Sequence, residues 1–326
     1  MKRRSVLLCV KAAFGLALVG ALAATVDRQA LGEVFAHISL APLAALLAIA
    51  LLMIVVSCWK WKMLLESQGL ALPAGYLLAT YFVGYFFTNF LPTGVGGDAV
   101  RALRVGQVTG RRGTALLAVF FERFTGLIVL LTWVVALPLL RPAILKHPPV
   151  LALVCAAAGG LALALLAAFR GRELYRAVVK ILPAGFVAEK AALLARHFHE
   201  FRMGGVLLIR VLLVTVVFDA LTCINVLLGF WTFGIDIPVV EVATWTPVVL
   251  FISMVPLSIS SLGITEGAYV YCFLLAGVPR EASLGVALIM RLKLVAFGLV
   301  GGAVYLLAKN AKLQTKGVAR CTKNPE

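Results

Sequence analysis

The chain has 326 residues, of which 62% are hydrophobic and only 13% are charged, and its formal net charge is +16. Soluble globular domains carry roughly 45–50% apolar and about 25% charged residues, so this composition excludes an ordinary soluble protein and indicates an integral membrane protein. Most basic residues flank apolar segments, where they set topology and contact anionic lipids, so the positive charge does not predict a nucleic-acid partner.

Six long apolar segments predict full spans in an all-α polytopic membrane protein, because about 20 apolar residues cross the roughly 30 Å of hydrocarbon. They lie at about 5–26, 40–58, 114–140, 149–169, 206–230 and 282–308. The first follows a basic run and ends at residues 21–23 in a motif that resembles a signal-peptide cleavage site. It is longer than a usual signal core and is interrupted by Lys11, so we expect a retained first helix.

Two further apolar regions are interrupted by polar turns, which predicts re-entrant helical hairpins and gives roughly eight apolar segments in all. The first region, 75–98, ends in a Pro-x-Gly-x-Gly-Gly-Asp motif, and the second, 241–278, contains a Pro/Ser/Gly turn. If the first region crossed the membrane fully, the arginines of 100–113 would lie outside, against the positive-inside rule. A hairpin keeps them in the cytoplasm.

The same rule places both termini and the basic loops 59–73, 100–113 and 170–205 in the cytoplasm. Each half of the chain, 5–140 and 149–308, then contains two spans, a hairpin and a third span. Three spans per half give the halves opposite orientations, which predicts an inverted repeat of the kind found in transporters, with the site where the repeats meet. We expect a multi-pass protein of a bacterial inner membrane.

The first polar turn is a candidate anion site. Non-helical backbone at membrane depth needs polar partners, and a helix N-terminus favours an anion. Gly96 and Gly97 precede Asp98, and Arg101 follows within one helical turn. We expect Gly97 to adopt φ > 0 and to let the backbone approach a head group, so that bulk is not tolerated there. The alternative is a helix cap at Asp98 followed by an interfacial basic helix.

Glu122 and Arg123 lie about nine residues into their predicted span, and Arg291 and Lys293 lie about ten residues into the last one. A charge near the bilayer centre costs about 2.5–3.5 kcal/mol on insertion scales, so it is usually paired or faces a polar cavity. Asp98 and Glu266 at the two turns are the expected partners, and Asp219 and Asn225 are secondary candidates. The alternative is a set of structural ion pairs that join the two halves.

At these residues the chain resembles the transmembrane, flippase-like module of the lysylphosphatidylglycerol synthases, which also occurs as stand-alone proteins. The matching residues are Asn89-Phe90-Leu91-Pro92, Gly96-Gly97-Asp98, Arg101, Glu122-Arg123, Pro256 and Leu262-Gly263-Ile264-Thr265-Glu266-Gly267. The chain departs from the family at Ser260-Ser261, where glycines are expected, and at Thr265, where arginine is often expected.

The resemblance implies a lipid translocase that moves a polar head group between leaflets, with an anionic phospholipid or an isoprenoid or hopanoid-type lipid as its partner. Only 18 residues follow Ala308, so we expect no aminoacyl-transfer domain. Neither a nucleophile nor metal ligands accompany the carboxylates, so we expect no enzyme activity and no cofactor. The alternatives are a lipid-modifying membrane enzyme that uses Asp98 or Glu266 as acid/base, or a non-catalytic partner subunit of such an enzyme.

Overall fold

The computed structural model describes residues 28–36, 38–90, 96–142, 144–181, 204–255 and 258–310. Within these ranges the chain is helical and contains no strand, which confirms the all-α prediction. The α-helices of these ranges are α1 (Arg28–Ala36), α2 (Leu40–Glu66), α3 (Ala74–Phe90), α4 (Gly96–Thr109), α5 (Arg112–Leu139), α6 (Pro148–Ile181), α7 (Gly205–Thr232), α8 (Val239–Ser253), α9 (Ile264–Leu275) and α10 (Arg280–Asn310).

Five of these helices, α2, α5, α6, α7 and α10, are long and apolar enough to cross a membrane, which confirms a polytopic membrane protein. They coincide with five of the six predicted spans. The remaining predicted span, 5–26, lies outside the described residues, and so do residues 182–203 of the predicted basic loop.

Helix α2 shows why these segments suit a lipid environment. Ala50, Ile54 and Cys58 are buried at intervals of four residues, while Leu51 and Val55, one position further along, are about half exposed. Residues four apart share a face of a helix, so one apolar face of α2 packs on protein and another apolar face is left open. An open apolar face along a span is what contact with lipid tails requires.

The predicted loop 59–73 begins too early, because α2 continues to Glu66. Trp61, Leu64 and Leu65 are fully buried, so packing carries the helix past the two lysines at positions 60 and 62. Helix α4 occupies most of the basic segment 100–113, in agreement with the helix expected after the Gly-Gly-Asp motif. Around Lys60, by contrast, the charge pattern placed in a loop residues that lie on a helix.

Both broken regions consist of a helix, a break and a second helix. Helices α3 and α4 have 17 and 14 residues, and α8 and α9 have 15 and 12, so each is shorter than a typical span of about 20 residues. Residues 91–95 of the first break lie outside the described part of the chain. The helix lengths agree with hairpins, and the re-entrant path itself stays a prediction.

The described residues pack into two compact units. Unit 1 draws them from Met1–Trp59, Pro73–Arg101 and Val217–Gly317, and unit 2 from Lys60–Leu72 and Ala102–Val216. Each unit therefore contains segments from both predicted halves of the chain. The predicted inverted repeat relates residues 5–140 to residues 149–308, and these halves are not the two units. It stays a prediction.

Within unit 1, α3 packs closely on α10 through small residues of α10. A Cβ atom added to Gly301 would lie 1.8 Å from the Phe82 carbonyl oxygen, and one added to Gly302 would lie 2.8 Å from the Phe86 ring. Helices in membranes gain stability when small residues allow such close backbone approach. This contact fixes the short helix α3 against the middle and end of the last span.

Candidate functional site

The carboxylate of Glu266 is buried at the start of α9, where it has partners on both oxygens. Its Oε2 accepts a hydrogen bond of 2.7 Å from the backbone N–H of Gly263, which precedes the helix and has φ 80°. Its Oε1 accepts a hydrogen bond of 2.8 Å from Arg291 Nε and forms an ion pair with Arg291 Nη2 at 2.7 Å. The predicted pairing of Glu266 with a charge in the last span is confirmed.

Arg291 also holds the turn between α8 and α9. Its Nη1 donates to the carbonyl oxygen of Ser260 at 2.8 Å, and its Nη2 donates to that of Ser261 at 3.3 Å. The Ser261 hydroxyl donates to the carbonyl oxygen of Ser253, at the end of α8, at 2.6 Å. We call Glu266, Arg291 and the carbonyl groups of Ser260 and Ser261 the arginine latch.

The backbone of this turn shows why glycines are expected at the two serine positions. Ser260 and Ser261 have φ values of 50° and 53°, in the left-handed region. That conformation costs a residue with a Cβ atom roughly 1–2 kcal/mol, which glycine avoids. The hydrogen bonds from Arg291 hold the turn in this strained form.

Lys293 follows two residues after Arg291 but has different partners. Its ammonium group donates to Oδ1 of Asn225 and lies 3.1 Å from the Met290 sulfur. Asn225 is buried, and its Nδ2 donates to the Leu46 carbonyl oxygen at 2.7 Å. In the part of the chain that the structure describes, no carboxylate pairs with Lys293. The expectation of a carboxylate partner for this lysine is therefore wrong within those residues.

Asn89, which lies on α3, contacts the same stretch of α10. Its Nδ2 donates to the carbonyl oxygen of Leu294 at 2.8 Å. Residues 291–294 thus receive polar side chains from three other helices, Asn89 from α3, Asn225 from α7 and Glu266 from α9. Pro92, the other residue of this motif, lies outside the described residues.

At the first break, Gly97 lies in the first turn of α4 and packs against α3. A Cβ atom there would lie 2.1 Å from Thr88 Oγ1 and 2.2 Å from the Gly84 carbonyl oxygen. Gly97 does not have a positive φ, and both Gly96 and Gly97 are buried. Glycine suits position 97, as expected, but for a different reason. The backbone of α3 lies too close for a side chain, and φ is not positive.

Asp98 and Arg101 pair within α4. Both are buried, and Arg101 Nη2 donates to Asp98 Oδ1 at 2.8 Å. The guanidinium carbon lies 4.0 Å from the centroid of the Tyr81 ring, a cation–π distance. The aliphatic stem of Arg101 crosses α3 at Gly84, where an added Cβ atom would lie 3.0 Å from its Cγ. Asp98 thus pairs with a cation of its own helix.

Unit 2 contains the two other charged residues that were predicted inside a span, Glu122 and Arg123 on α5. Glu122 is buried and Arg123 is exposed. Lys60, which the sequence pattern placed in a loop, is also buried here, and its Nζ donates to Thr215 Oγ1 at 2.9 Å. The same Nζ lies 3.9 Å from where a Cβ on Gly126 would stand, one turn after Glu122. The helical spacing of apolar residues up to position 65 was the signal that could have placed Lys60 inside a helix.

One comparison with known proteins identifies a family. The model of the lysylphosphatidylglycerol synthase TM region matches residues 8–302. This range contains all of the candidate residues described above. No curated protein matches the chain. The family match ties this membrane protein to lipid modification.

Proposed function

We propose that this chain, which belongs to the lysylphosphatidylglycerol synthase transmembrane-region family, is a lipid translocase that moves an anionic head group between leaflets. The observation that carries the proposal is the convergence of polar side chains on residues 291–294. Lys293 lies thirteen residues after Arg280, or about 20 Å along the helix at 1.5 Å per residue, close to the middle of the apolar stretch Arg280–Leu307.

Charges in the middle of a span suit the crossing of a head group better than its binding at the membrane surface. A phosphate that leaves water needs other donors, and charge-assisted hydrogen bonds from lysine or arginine are the strongest available. Val295 and Leu299 are exposed on α10 beside this stretch. We therefore expect the lipid tails to stay in the bilayer while the head group follows the polar side of the helix.

The contacts of the carboxylates favour a translocase over an acid/base enzyme. A general base must reach the proton that it removes, but both oxygens of Glu266 already accept hydrogen bonds, and Asp98 is paired with Arg101. These carboxylates are better suited to hold cations in position than to exchange protons with a substrate.

Reconstitution separates the candidate functions. The purified protein is placed in phosphatidylcholine liposomes with fluorescent phosphatidylglycerol, and dithionite then quenches only the outer leaflet. A translocase makes the inner-leaflet lipid accessible to dithionite, while protein-free liposomes keep it protected. Mass spectrometry of the same lipid should show no new mass. A covalently altered lipid would support the enzyme, and no movement without a partner protein would support the partner-subunit alternative.

We further infer that the protein lies in a bacterial inner membrane with both termini in the cytoplasm, as the positive-inside rule favours. Gln107, near the end of α4, is exposed and provides a site for an introduced cysteine. In a cysteine-free background, a membrane-impermeant maleimide should label this position only after the cells are opened. Labelling of intact cells would contradict the first hairpin.

A further inference from the structure

We infer that Lys293 binds the anionic group of the transported lipid, whereas Arg291 positions the turn between α8 and α9; this division of roles rests on the proposed function. Both residues lie near the middle of the last span, so position alone does not separate them. Their partners do.

Arg291 is committed to protein contacts. Each of its three guanidinium nitrogens donates to an oxygen of the chain, and its charge is balanced by Glu266. A lipid phosphate would have to displace Glu266, which would strand a buried carboxylate at high cost. Arg101 is likewise paired with a carboxylate, that of Asp98.

Lys293 has neutral partners only. An ammonium group has three donors, and Asn225 and Met290 take two of them. Neither partner carries a negative charge, and no carboxylate of the described residues pairs with this lysine. A partly buried cation without a counter-charge is unfavourable in the middle of a span, so a ligand that supplies the negative charge is stabilised there.

The site is built to hold that lysine in place. Asn225 is only 1% exposed, and its amide nitrogen is fixed by the Leu46 carbonyl oxygen at 2.7 Å, so that its own oxygen is directed at Lys293. One turn further along the same face of α7, Gly229 leaves room for α10, because a Cβ there would lie 2.8 Å from Met290 Cε. The lysine is therefore oriented by α7, with one donor left for a ligand oxygen.

The ligand chemistry is an oxyanion, and a lipid phosphodiester and free inorganic phosphate both provide one. The lipid is favoured because Leu292 and Val295, on either side of Lys293 in the sequence, are exposed apolar residues of the same helix. Such neighbours suit a ligand that brings hydrocarbon with it. Inorganic phosphate offers none.

The test compares Lys293→Met with Lys293→Arg, and uses Leu306→Ala, at an exposed position of the same helix, as the control. Because hydrogen bonds to charged groups are worth more than neutral ones, Lys293→Met should slow phosphatidylglycerol movement roughly tenfold to hundredfold. Lys293→Arg should keep a measurable part of the activity, and Leu306→Ala should behave as the unaltered protein.

Thermal unfolding in detergent provides a readout that a purely structural role would not produce. Without lipid, Lys293→Met should melt close to the unaltered protein, because the removal of an uncompensated charge offsets the loss of the hydrogen bond to Asn225. Added phosphatidylglycerol should raise the melting temperature of the unaltered protein but not that of Lys293→Met. Inorganic phosphate should raise neither.

The remaining outcomes are distinguishable. The inference is overturned if Lys293→Met moves lipid normally, if it melts well below the unaltered protein without lipid, or if inorganic phosphate reproduces the lipid effect. If the unaltered protein moves no lipid but is stabilised by phosphatidylglycerol through Lys293, the binding site stands and the translocase function fails.

Discussion

The two breaks in unit 1 place an acidic residue at the same point of the helix that follows, yet they are held by different forces. Asp98 is the third residue of α4 and Glu266 is the third residue of α9. Asp98 pairs with Arg101, three residues along the same helix, whereas Glu266 pairs with Arg291, 25 residues away on the last span. The Asp98–Arg101 pair is local to α4, whereas the Glu266–Arg291 pair joins two distant segments of the chain.

The backbone shows the same contrast. At the first break, α4 meets α3 where Gly84 and Gly97 let the two backbones touch. At the second break, two serines in left-handed conformations present their carbonyl groups to Arg291. Close packing between backbones involves no charge, whereas the second break contains a buried carboxylate that needs Arg291 as its cation. The comparison therefore predicts that the contact between α3 and α4 depends on backbone packing, whereas the turn between α8 and α9 depends on charge.

The largest effect should come from Arg291→Ala. This substitution leaves the Glu266 carboxylate buried without a cation, which typically costs about 3–5 kcal/mol. Unfolding in detergent, followed by tryptophan fluorescence, should show the loss. The double variant Glu266→Leu/Arg291→Met removes both charges and should be markedly more stable than Arg291→Ala. Equal losses in the two variants would contradict a latch that acts through charge.

A smaller loss is expected from Gly97→Val at the first break. The first atom of the new side chain would lie 2.1 Å from Thr88 Oγ1 and 2.2 Å from the Gly84 carbonyl oxygen, so α4 must move away from α3. Overpacking of this kind typically costs about 1–3 kcal/mol. We expect the protein to insert in the membrane and to lose lipid movement.

Gly159→Ala provides the matched control for Gly97→Val. Gly159 lies inside α6, and an added Cβ there would meet no atom within 4 Å. Alanine is favoured over glycine in a helix by about 1 kcal/mol, so this variant should be as stable as the unaltered protein or slightly more so. If Gly97→Val unfolds no more readily than Gly159→Ala, the first break is not held by backbone packing.

The sequence allowed prediction of those features that depend on local patterns. Apolar runs predicted five spans that the structure describes, the polar turns marked both breaks, and Glu266 was expected to pair with a charge in the last span. Basic residues were a poorer guide to loop boundaries, because α2 continues through Lys60, which is buried against Thr215. A lysine inside a helix and one in a loop look alike in a charge count.

Contacts of neutral polar side chains between distant segments could not be predicted. Asn225 meets Lys293 across 68 residues, and Asn89 meets Leu294 across 205. No periodicity relates such positions, so nothing in the sequence favours Asn225 over a carboxylate as the partner of Lys293. The role of Gly97 was missed for the same reason, because its requirement for glycine comes from Gly84 on another helix.

The smallest effect in this comparison is expected from Ser260→Gly. Ser260 has φ 50°, so glycine removes left-handed strain, and part of that gain is offset by the greater freedom of glycine in the unfolded chain. The net result should be a stabilisation of about 0.5–1 kcal/mol in detergent unfolding, because the Ser260 carbonyl group that binds Arg291 is retained. Ser261→Ala is the contrasting variant: it keeps the strain and removes the hydroxyl bond to Ser253, which should cost about 0.5–1.5 kcal/mol. If Ser260→Gly is instead less stable than the unaltered protein, the serine side chain stabilises the turn. That outcome would contradict the view that Ser260 is strained and held by Arg291.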